Sequence, residues 1–169
     1  MRNSTAAIEA QENQPPMKAL TLTQPWATFV ALKVKRWETR SWATKYRGPL
    51  AIHAAKRYPG DAKTFAFEMF YGALRDPHHP PDPNHPLLAV GFAEALVIAQ
   101  NLPCGAVLAT CTLVDCIPSE QAKPSPAEKL LGDYSPGRSI LILDDVVQLK
   151  EPVLTRGALG LWEWNRAAS

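Results

Sequence analysis

The stretch that decides the fold runs from Thr21 to Lys56 and reads TLTQPWATFVALKVKRWETRSWATKYRGPLAIHAAK. It begins within the segment Lys18 to Thr23, where apolar and polar residues alternate as is typical of a β-strand. Apolar residues at helical spacing follow from Trp26, and Pro25 suits the first helical turn, where its missing N–H costs nothing. Aromatic and β-branched residues after Arg36 then indicate another strand. Strand, helix and strand are therefore predicted in close succession.

A local cationic field covers the second half of this stretch. Eight Lys or Arg residues lie between positions 33 and 57, where Glu38 is the only acid. The net charge of the whole chain is only +2, because residues 61–169 contain 13 acidic and 8 basic residues. Trp37 and Trp42 lie inside the field, and cationic surfaces that carry flat rings bind phosphates and stack bases. The alternative is that these aromatics belong to the core and the charges are solvated.

Three charged residues are predicted to converge where the helix meets the second strand. Lys35 lies at this junction, and in a strand with a period of two residues Glu38, Arg40 and Trp42 share one face. Thr39 is expected on the opposite face. An amine, a carboxylate and a guanidinium from one short bend form a compact set of acid, base and anion-binding groups.

These motifs resemble the ASCH domain family, a branch of the PUA-like β-barrels. The resemblance rests on the run QPWA, on Lys35, Glu38 and Arg40 in the spacing K-x-x-E-x-R, on Arg47-Gly48 and on the strand IHAAK. The segment GRSILILDDVVQLKEPVLTRGALGLWEW is similar to the closing strands of that family, so the resemblance covers residues 17–166. The family often has glycine shortly before the lysine, whereas this chain has Lys33 and Val34 there.

The resemblance implies an α+β fold, a small and mostly antiparallel PUA-like β-barrel with helices covering the barrel mouth. This ASCH domain is expected at residues 17–166, after a polar segment, residues 1–16, that is predicted to be a disordered tail. A length of 169 residues with 46% hydrophobic residues fits one soluble domain. Further strands are predicted at residues 48–54, 104–117, 139–149 and 161–164, and helices at residues 62–74 and 87–100.

Several classes of protein are disfavoured by the sequence. It contains no run of about 18 apolar residues and no secretory signal, so neither membrane insertion nor export is predicted. An odd set of three cysteines then favours reduced thiols in the cytoplasm. There is no C-x-x-C pair, and His78, His79 and His85 lie in a proline-rich loop at residues 75–86. We therefore predict no metal site, and no cofactor is implied.

A second group of residues extends the candidate site. In the strand at residues 48–54, His53 alternates with the apolar residues and is expected near the pocket. It could contact a phosphate or a base edge or transfer a proton, but it could equally be a hydrogen-bonded structural histidine. Trp26 and Trp42 are candidates for stacking a base beside it. Arg47 and Lys56 belong to the cationic field and are candidates for contacts with nucleic acid.

One candidate function is catalytic. Some compact ASCH proteins are amidohydrolases that remove acyl groups from N4-acylated cytidine nucleosides, and the resemblance implies this activity with Lys35 as the lysine of that branch. A threonine follows three residues after the lysine in that branch, and Glu38 occupies this position here. Lys35 and Glu38 would then activate water, with Arg40 or Lys35 stabilising the oxyanion.

Two other functions are open. A binding module would read single-stranded or modified RNA without chemistry, as the analogy with PUA-like folds suggests. A purely structural ion-pair network would orient the helix against the barrel. We predict an ASCH protein that binds RNA or a modified pyrimidine nucleoside in a pocket holding Lys35, Glu38 and Arg40. Hydrolysis of the amide of N4-acylcytidine is left open, and no oligomeric state is predicted.

Overall fold

The computed structural model describes residues 17–72 and 92–165, which form a mixed α+β fold. The strands are β1 (Met17–Leu22), β2 (Trp37–Arg40), β3 (Gly48–Ala54), β4 (Ala106–Pro118), β5 (Ser139–Leu154) and β6 (Leu161–Trp164). The predicted bounds of β3 and β6 are confirmed, and β5 continues five residues beyond its predicted end. The segment at residues 1–16 and the proline-rich loop at residues 75–86 lie outside the described residues.

The six strands form one sheet in the order β2-β5-β4-β3-β1-β6. β1 and β3 are parallel, whereas all other neighbouring strands are antiparallel. The mostly antiparallel α+β arrangement is confirmed, but the closed barrel is wrong, because the described strands leave β2 and β6 as the two unpaired edges. β2 is contacted instead by Asp133 of a loop, whose N–H donates to the hydroxyl of Thr39. Register shifts between β4 and β5 bend the sheet without closing it.

The α-helices within the same ranges are α1 (Trp26–Ala31), α2 (Gly60–Gly72), α3 (Phe92–Gln100) and α4 (Pro126–Leu130). A short 3-10 helix at Ser119–Gln121 follows β4. Each of these helices is too short or too polar to cross a membrane. At the start of α1, the side chain of Gln24 accepts a hydrogen bond from the N–H of Thr28 over 3.1 Å, so an amide oxygen satisfies a donor of the first turn.

The two faces of β3 belong to different parts of the core. Leu50, Ile52 and Ala54 pack against β1, β4 and α1. Ala51 lies on the opposite face in a cluster with Trp164. The predicted alternation of this strand is therefore confirmed.

A separate apolar cluster joins the helices to the loop that follows α4. The rings of Phe29 in α1 and Phe70 in α2 pack edge to face with centroids 5.6 Å apart. Ala95, Ala99 and Leu131 complete the buried part of this cluster. The cluster holds residue 131 beside the end of α1, which is where the charged motif begins.

Candidate functional site

The junction between α1 and β2 is a tight turn that places Lys35 in the interior. The N–H groups of Val34 and Lys35 both donate to the carbonyl of Phe29, over 2.9 and 3.1 Å. Lys33 adopts a left-handed backbone conformation with φ 64°, which glycine adopts most readily. Lys33 thus holds a conformation that disfavours residues with a Cβ atom.

Lys35 is fully buried, with 0% of its surface exposed. Its ammonium group donates to the carbonyl of Trp37 and, over 2.9 Å, to the carbonyl of Leu131. Its Nζ also lies 3.4 Å from Oε2 of Glu38. Two of its three N–H donors are therefore taken by backbone carbonyls, and its charge is paired with the carboxylate. Lys35 therefore ties the loop at residue 131 to β2.

Glu38 lies between two cations. Its Oε1 is 3.2 Å from Nη2 of Arg40, so its carboxylate bridges Arg40 and Lys35. Arg40 also donates to the carbonyl of Thr21 over 2.8 Å, and its Nε is buried without a hydrogen-bond partner among the described residues. The amine, the carboxylate and the guanidinium of the motif therefore meet in the structure.

Glu38 borders a cavity of about 380 Å³, which we term the smaller cavity. Trp26 and Phe65 line it with nearly parallel rings, whose centroids are 5.6 Å apart. Thr39 and residues 130–133 supply the rest of its lining. The volume is within the range of small-molecule sites. The smaller cavity thus combines an aromatic wall with a carboxylate acceptor.

Thr39 lines the same cavity as Glu38, although it was expected on the opposite face of the strand. β2 is an edge strand, and the chain from Leu131 to Asp133 crosses it, so residues of both faces border the cavity. Oγ1 of Thr39 accepts a hydrogen bond from the N–H of Asp133 over 3.2 Å. A hydroxyl group is therefore present in this cavity beside the carboxylate.

A cavity of about 870 Å³, which we term the larger cavity, lies beyond the end of β3. His53 lines it with only 2% of its surface exposed. Nε2 of His53 is 3.1 Å from the carbonyl oxygen of Thr155, from which we infer that Nε2 carries the hydrogen. Burial lowers the pKa of His53, against the opposing effect of this hydrogen bond. Nδ1 is then a buried lone pair, and it has no partner in the described part of the chain.

The segment after β5 forms another wall of the larger cavity. A Cβ atom at Gly157 would lie 2.6 Å from Nδ1 of His53 and 2.8 Å from Oγ1 of Thr21, so only glycine fits there. Lys56 and Arg156 also line the cavity with exposed side chains, and its lining contains no Asp or Glu. The larger cavity is therefore cationic, in contrast to the smaller one.

The structure divides the predicted site residues into three groups. Glu38 and Trp26 line the smaller cavity, with Lys35 and Arg40 directly behind it. His53 and Lys56 line the larger cavity. Arg47 and Trp42 border neither cavity. Arg47 is paired on the surface with Asp115 over 2.7 Å. Trp42 follows the end of β2 and packs, half-buried, against the core, so it does not share the strand face of Glu38.

Thr21 connects the two cavities. Its carbonyl accepts the hydrogen bond from Arg40, and its hydroxyl lines the larger cavity and accepts from Nε1 of Trp162 over 3.1 Å. Thr21 also pairs with His53 in the parallel ladder of β1 and β3. The two groups of candidate residues are thus neighbours across one strand.

Sequence reasoning missed the wall of the larger cavity at residues 155–159. The available signal was the run TRGALG, in which two glycines and an arginine occur within six residues between two strands.

Cys104 also lines this cavity, and burial raises the pKa of its thiol, so it is a weak nucleophile. Within residues 17–72 and 92–165, no cluster of His, Cys, Asp or Glu is arranged to hold a metal ion.

The described fold is an open α+β sheet in which Lys35, Glu38 and Arg40 meet beside a cavity. Residues 20–151 match the ASCH domain family, so the chain belongs to this family, which is associated with RNA binding. The chain is also similar to Activating signal cointegrator 1 from Homo sapiens, with 30% identity over 115 residues. The same protein from Mus musculus is 30% identical over 113 residues.

These alignments cover 68% and 67% of this chain but only 17% and 16% of the human and mouse proteins. The chain thus spans about a sixth of the length of the curated relatives it matches. The similarity therefore concerns a segment of domain size in those proteins and not their whole length.

Proposed function

We propose that this protein binds single-stranded RNA or a modified pyrimidine nucleoside by enclosing one base, cytosine in the first place, in the smaller cavity. The observation that carries the proposal is the position of Glu38, whose carboxylate is fixed by Lys35 and Arg40 and borders a cavity with an aromatic wall. A carboxylate accepts a hydrogen bond from the N4 amino group of cytosine. Uracil presents an acceptor, O4, at the same position and is disfavoured.

The rest of the cavity suits an unpaired base. Trp26 and Phe65 offer a flat apolar surface, and unpaired bases of RNA stack on such rings. Residues Leu130 to Asp133 supply a further part of the lining. The cationic field of residues 33–57 adds attraction for phosphates that is independent of sequence.

The test is a comparison of oligocytidine and oligouridine by fluorescence anisotropy at one fixed salt concentration. We expect oligocytidine to bind about 5- to 150-fold more tightly, which corresponds to about 1–3 kcal/mol for one base contact. Trp26→Ala should weaken binding by a similar factor, because stacking of a base on an aromatic ring contributes about 1–3 kcal/mol.

Trp42→Ala is the matched control, because Trp42 is half-buried but borders neither cavity. It should leave the affinity for oligocytidine unchanged. Equal affinities for the two oligonucleotides, together with equal effects of the two tryptophan variants, would reject the base pocket.

Hydrolysis of the amide of N4-acylcytidine is a second candidate function. The observation that favours it is the presence of a hydroxyl, from Thr39, and a carboxylate, from Glu38, in the same cavity. Water would attack the acyl carbon while Glu38 accepts its proton, and Glu38 would pass that proton to N4 as the C–N bond breaks, which gives cytidine and a carboxylic acid. Lys35 donates to two backbone carbonyls and forms an ion pair with Glu38, so its role would be to position Glu38.

Incubation with N4-acetylcytidine, followed by chromatography of cytidine, tests this candidate. Glu38→Gln should lower turnover at least 100-fold, since general base catalysis typically contributes about 10²–10⁴ in rate. Thr110→Ala serves as the control, because this half-buried threonine of β4 borders neither cavity. Absence of turnover in the wild-type protein would leave binding as the function.

We also infer a cytoplasmic location. Cys104, Cys111 and Cys116 are all free thiols, as expected of a reducing compartment. Fractionation of cells that express the chain would test it, and recovery from an oxidising compartment would contradict it.

A further inference from the structure

The larger cavity has features of a phosphate site, and it is distinct from the base pocket. We propose that Lys56 and Arg156 bind the phosphate group of a nucleotide whose nucleoside part occupies the larger cavity. The site lies between the ends of β3 and β5 and the start of β6. The inference does not depend on the base pocket, because it uses a different lining.

The charged residues of this lining are all cations. Lys56 and Arg156 are exposed, and neither has an ion-pair partner among the residues that the structure describes. Arg36 and Arg47, by contrast, are paired with the carboxylates of Asp144 and Asp115. Because no acid lines the cavity, its two cations are available for an anion.

Backbone donors accompany the two cations. β5 ends at Leu154 and β6 begins at Leu161, so the intervening N–H groups lie outside the ladders of the sheet. Those of Arg156, Gly157 and Ala158 make no hydrogen bond within the described ranges. Successive free N–H groups and cations suit a phosphate, whose several oxygens can accept from several donors at once, better than a carboxylate with two oxygens.

The size and the apolar part of the cavity indicate more than a free phosphate. Its volume of about 870 Å³ lies near the upper end of ligand sites. Leu154 and Leu159 line it although 74% and 98% of their surfaces are exposed. A nucleoside, whose flat ring can pack against this apolar surface, matches the size of the cavity.

Calorimetric titration with cytidine 5′-monophosphate and with cytidine tests the proposal. We expect the monophosphate to bind at least 10-fold more tightly, and Lys56→Ala/Arg156→Ala to remove this difference. The charge-conserving variant Lys56→Arg/Arg156→Lys should retain most of it. Lys123→Ala/Lys150→Ala is the matched control, because it removes two exposed cations that border neither cavity.

Nuclear magnetic resonance of ¹⁵N-labelled protein locates the ligand independently. The amide signals of Gly157 and Ala158 should shift with the monophosphate, and these shifts should disappear in Lys56→Ala/Arg156→Ala, whereas a shift of Gly132 reports binding at the smaller cavity. Trp26→Ala should leave these shifts unchanged, so failure of the base pocket and failure of the phosphate site are distinguishable.

A cytidine pentamer without terminal phosphate separates two sources of the phosphate. If Lys56→Ala/Arg156→Ala weakens binding of the pentamer only, the bound phosphate belongs to an RNA strand. If the variant weakens binding of the monophosphate, a free nucleotide is sufficient. Both results support the site. Equal losses in the double alanine variant and its control would overturn the proposal. So would competition by an oligoglutamate of the same charge as effective as that by the pentamer.

Discussion

The smaller and the larger cavity are held in shape by different interactions. Beside the smaller cavity, a buried amine, a carboxylate and a guanidinium form a continuous network. At the larger cavity, a glycine packs directly on a neutral imidazole, and the cations stay at the rim without partners among the described residues. The smaller cavity should therefore respond to removal of charge, and the larger cavity to added volume or to an added proton.

Removal of the amine should have the largest effect. Lys35→Met leaves the carbonyls of Trp37 and Leu131 without their donor and Glu38 with one cation fewer. Breaking a buried pair costs about 3–5 kcal/mol, so we expect the free energy of unfolding in urea to fall by about that amount. Lys45→Met, at an exposed position, should change it by less than about 0.5 kcal/mol. If Lys35→Met lowers the free energy of unfolding by less than about 1 kcal/mol, the smaller cavity does not depend on its buried charges as expected.

Added volume at Gly157 should have the next largest effect. In Gly157→Ala the new methyl group would lie 2.6 Å from Nδ1 of His53, so the ring or the segment must move. Overpacking typically costs about 1–3 kcal/mol, and binding of cytidine 5′-monophosphate should weaken with it. Gly60→Ala is the control, since no atom lies within 4 Å of its added carbon. Unchanged binding in Gly157→Ala would show that this contact does not shape the larger cavity.

What could be predicted from the sequence was local. The alternation of β3 and the meeting of Lys35, Glu38 and Arg40 depend on residues within a few positions of each other, so periodicity and spacing determine them. The cavities depend on distant partners. Thr39 meets Asp133 across 94 positions and His53 meets Thr155 across 102, and no local pattern encodes such pairs. The barrel was likewise wrong because closure depends on whether two distant edge strands meet.

A smaller and favourable change is expected in the turn that leads to the smaller cavity. Lys33 has φ 64°, a conformation that costs a residue with a Cβ about 1–2 kcal/mol. Glycine removes this strain but loses about 0.4–1 kcal/mol through the greater freedom of its unfolded chain. Lys33→Gly should therefore raise the free energy of unfolding by about 0.5–1 kcal/mol. Lys33→Ala keeps the strain and should be nearly neutral, so an equal gain in both variants would refute this explanation.

The last expected difference concerns the dependence of stability on pH. Burial lowers the pKa of His53 below its ordinary value of 6.5, so as the pH falls the unfolded chain takes up this proton before the folded protein does. The contribution of neutral His53 is therefore fully present above about pH 6.5 and is lost as the pH falls through the lowered pKa. Between about pH 7.5 and 5.5 the wild-type protein should lose more stability than His53→Gln, whose amide can still donate to Thr155.

The carboxylates with lowered pKa values do not obscure this difference. Asp115, Asp133 and Asp144 are held below their usual pKa by hydrogen bonds and, for each, an arginine nearby. They therefore titrate below about pH 4, outside the range compared. Thr110→Ala, which removes no titratable group and borders neither cavity, is the control and should retain the wild-type slope. Equal slopes for wild type and His53→Gln would mean that the imidazole is not what makes the larger cavity sensitive to protons.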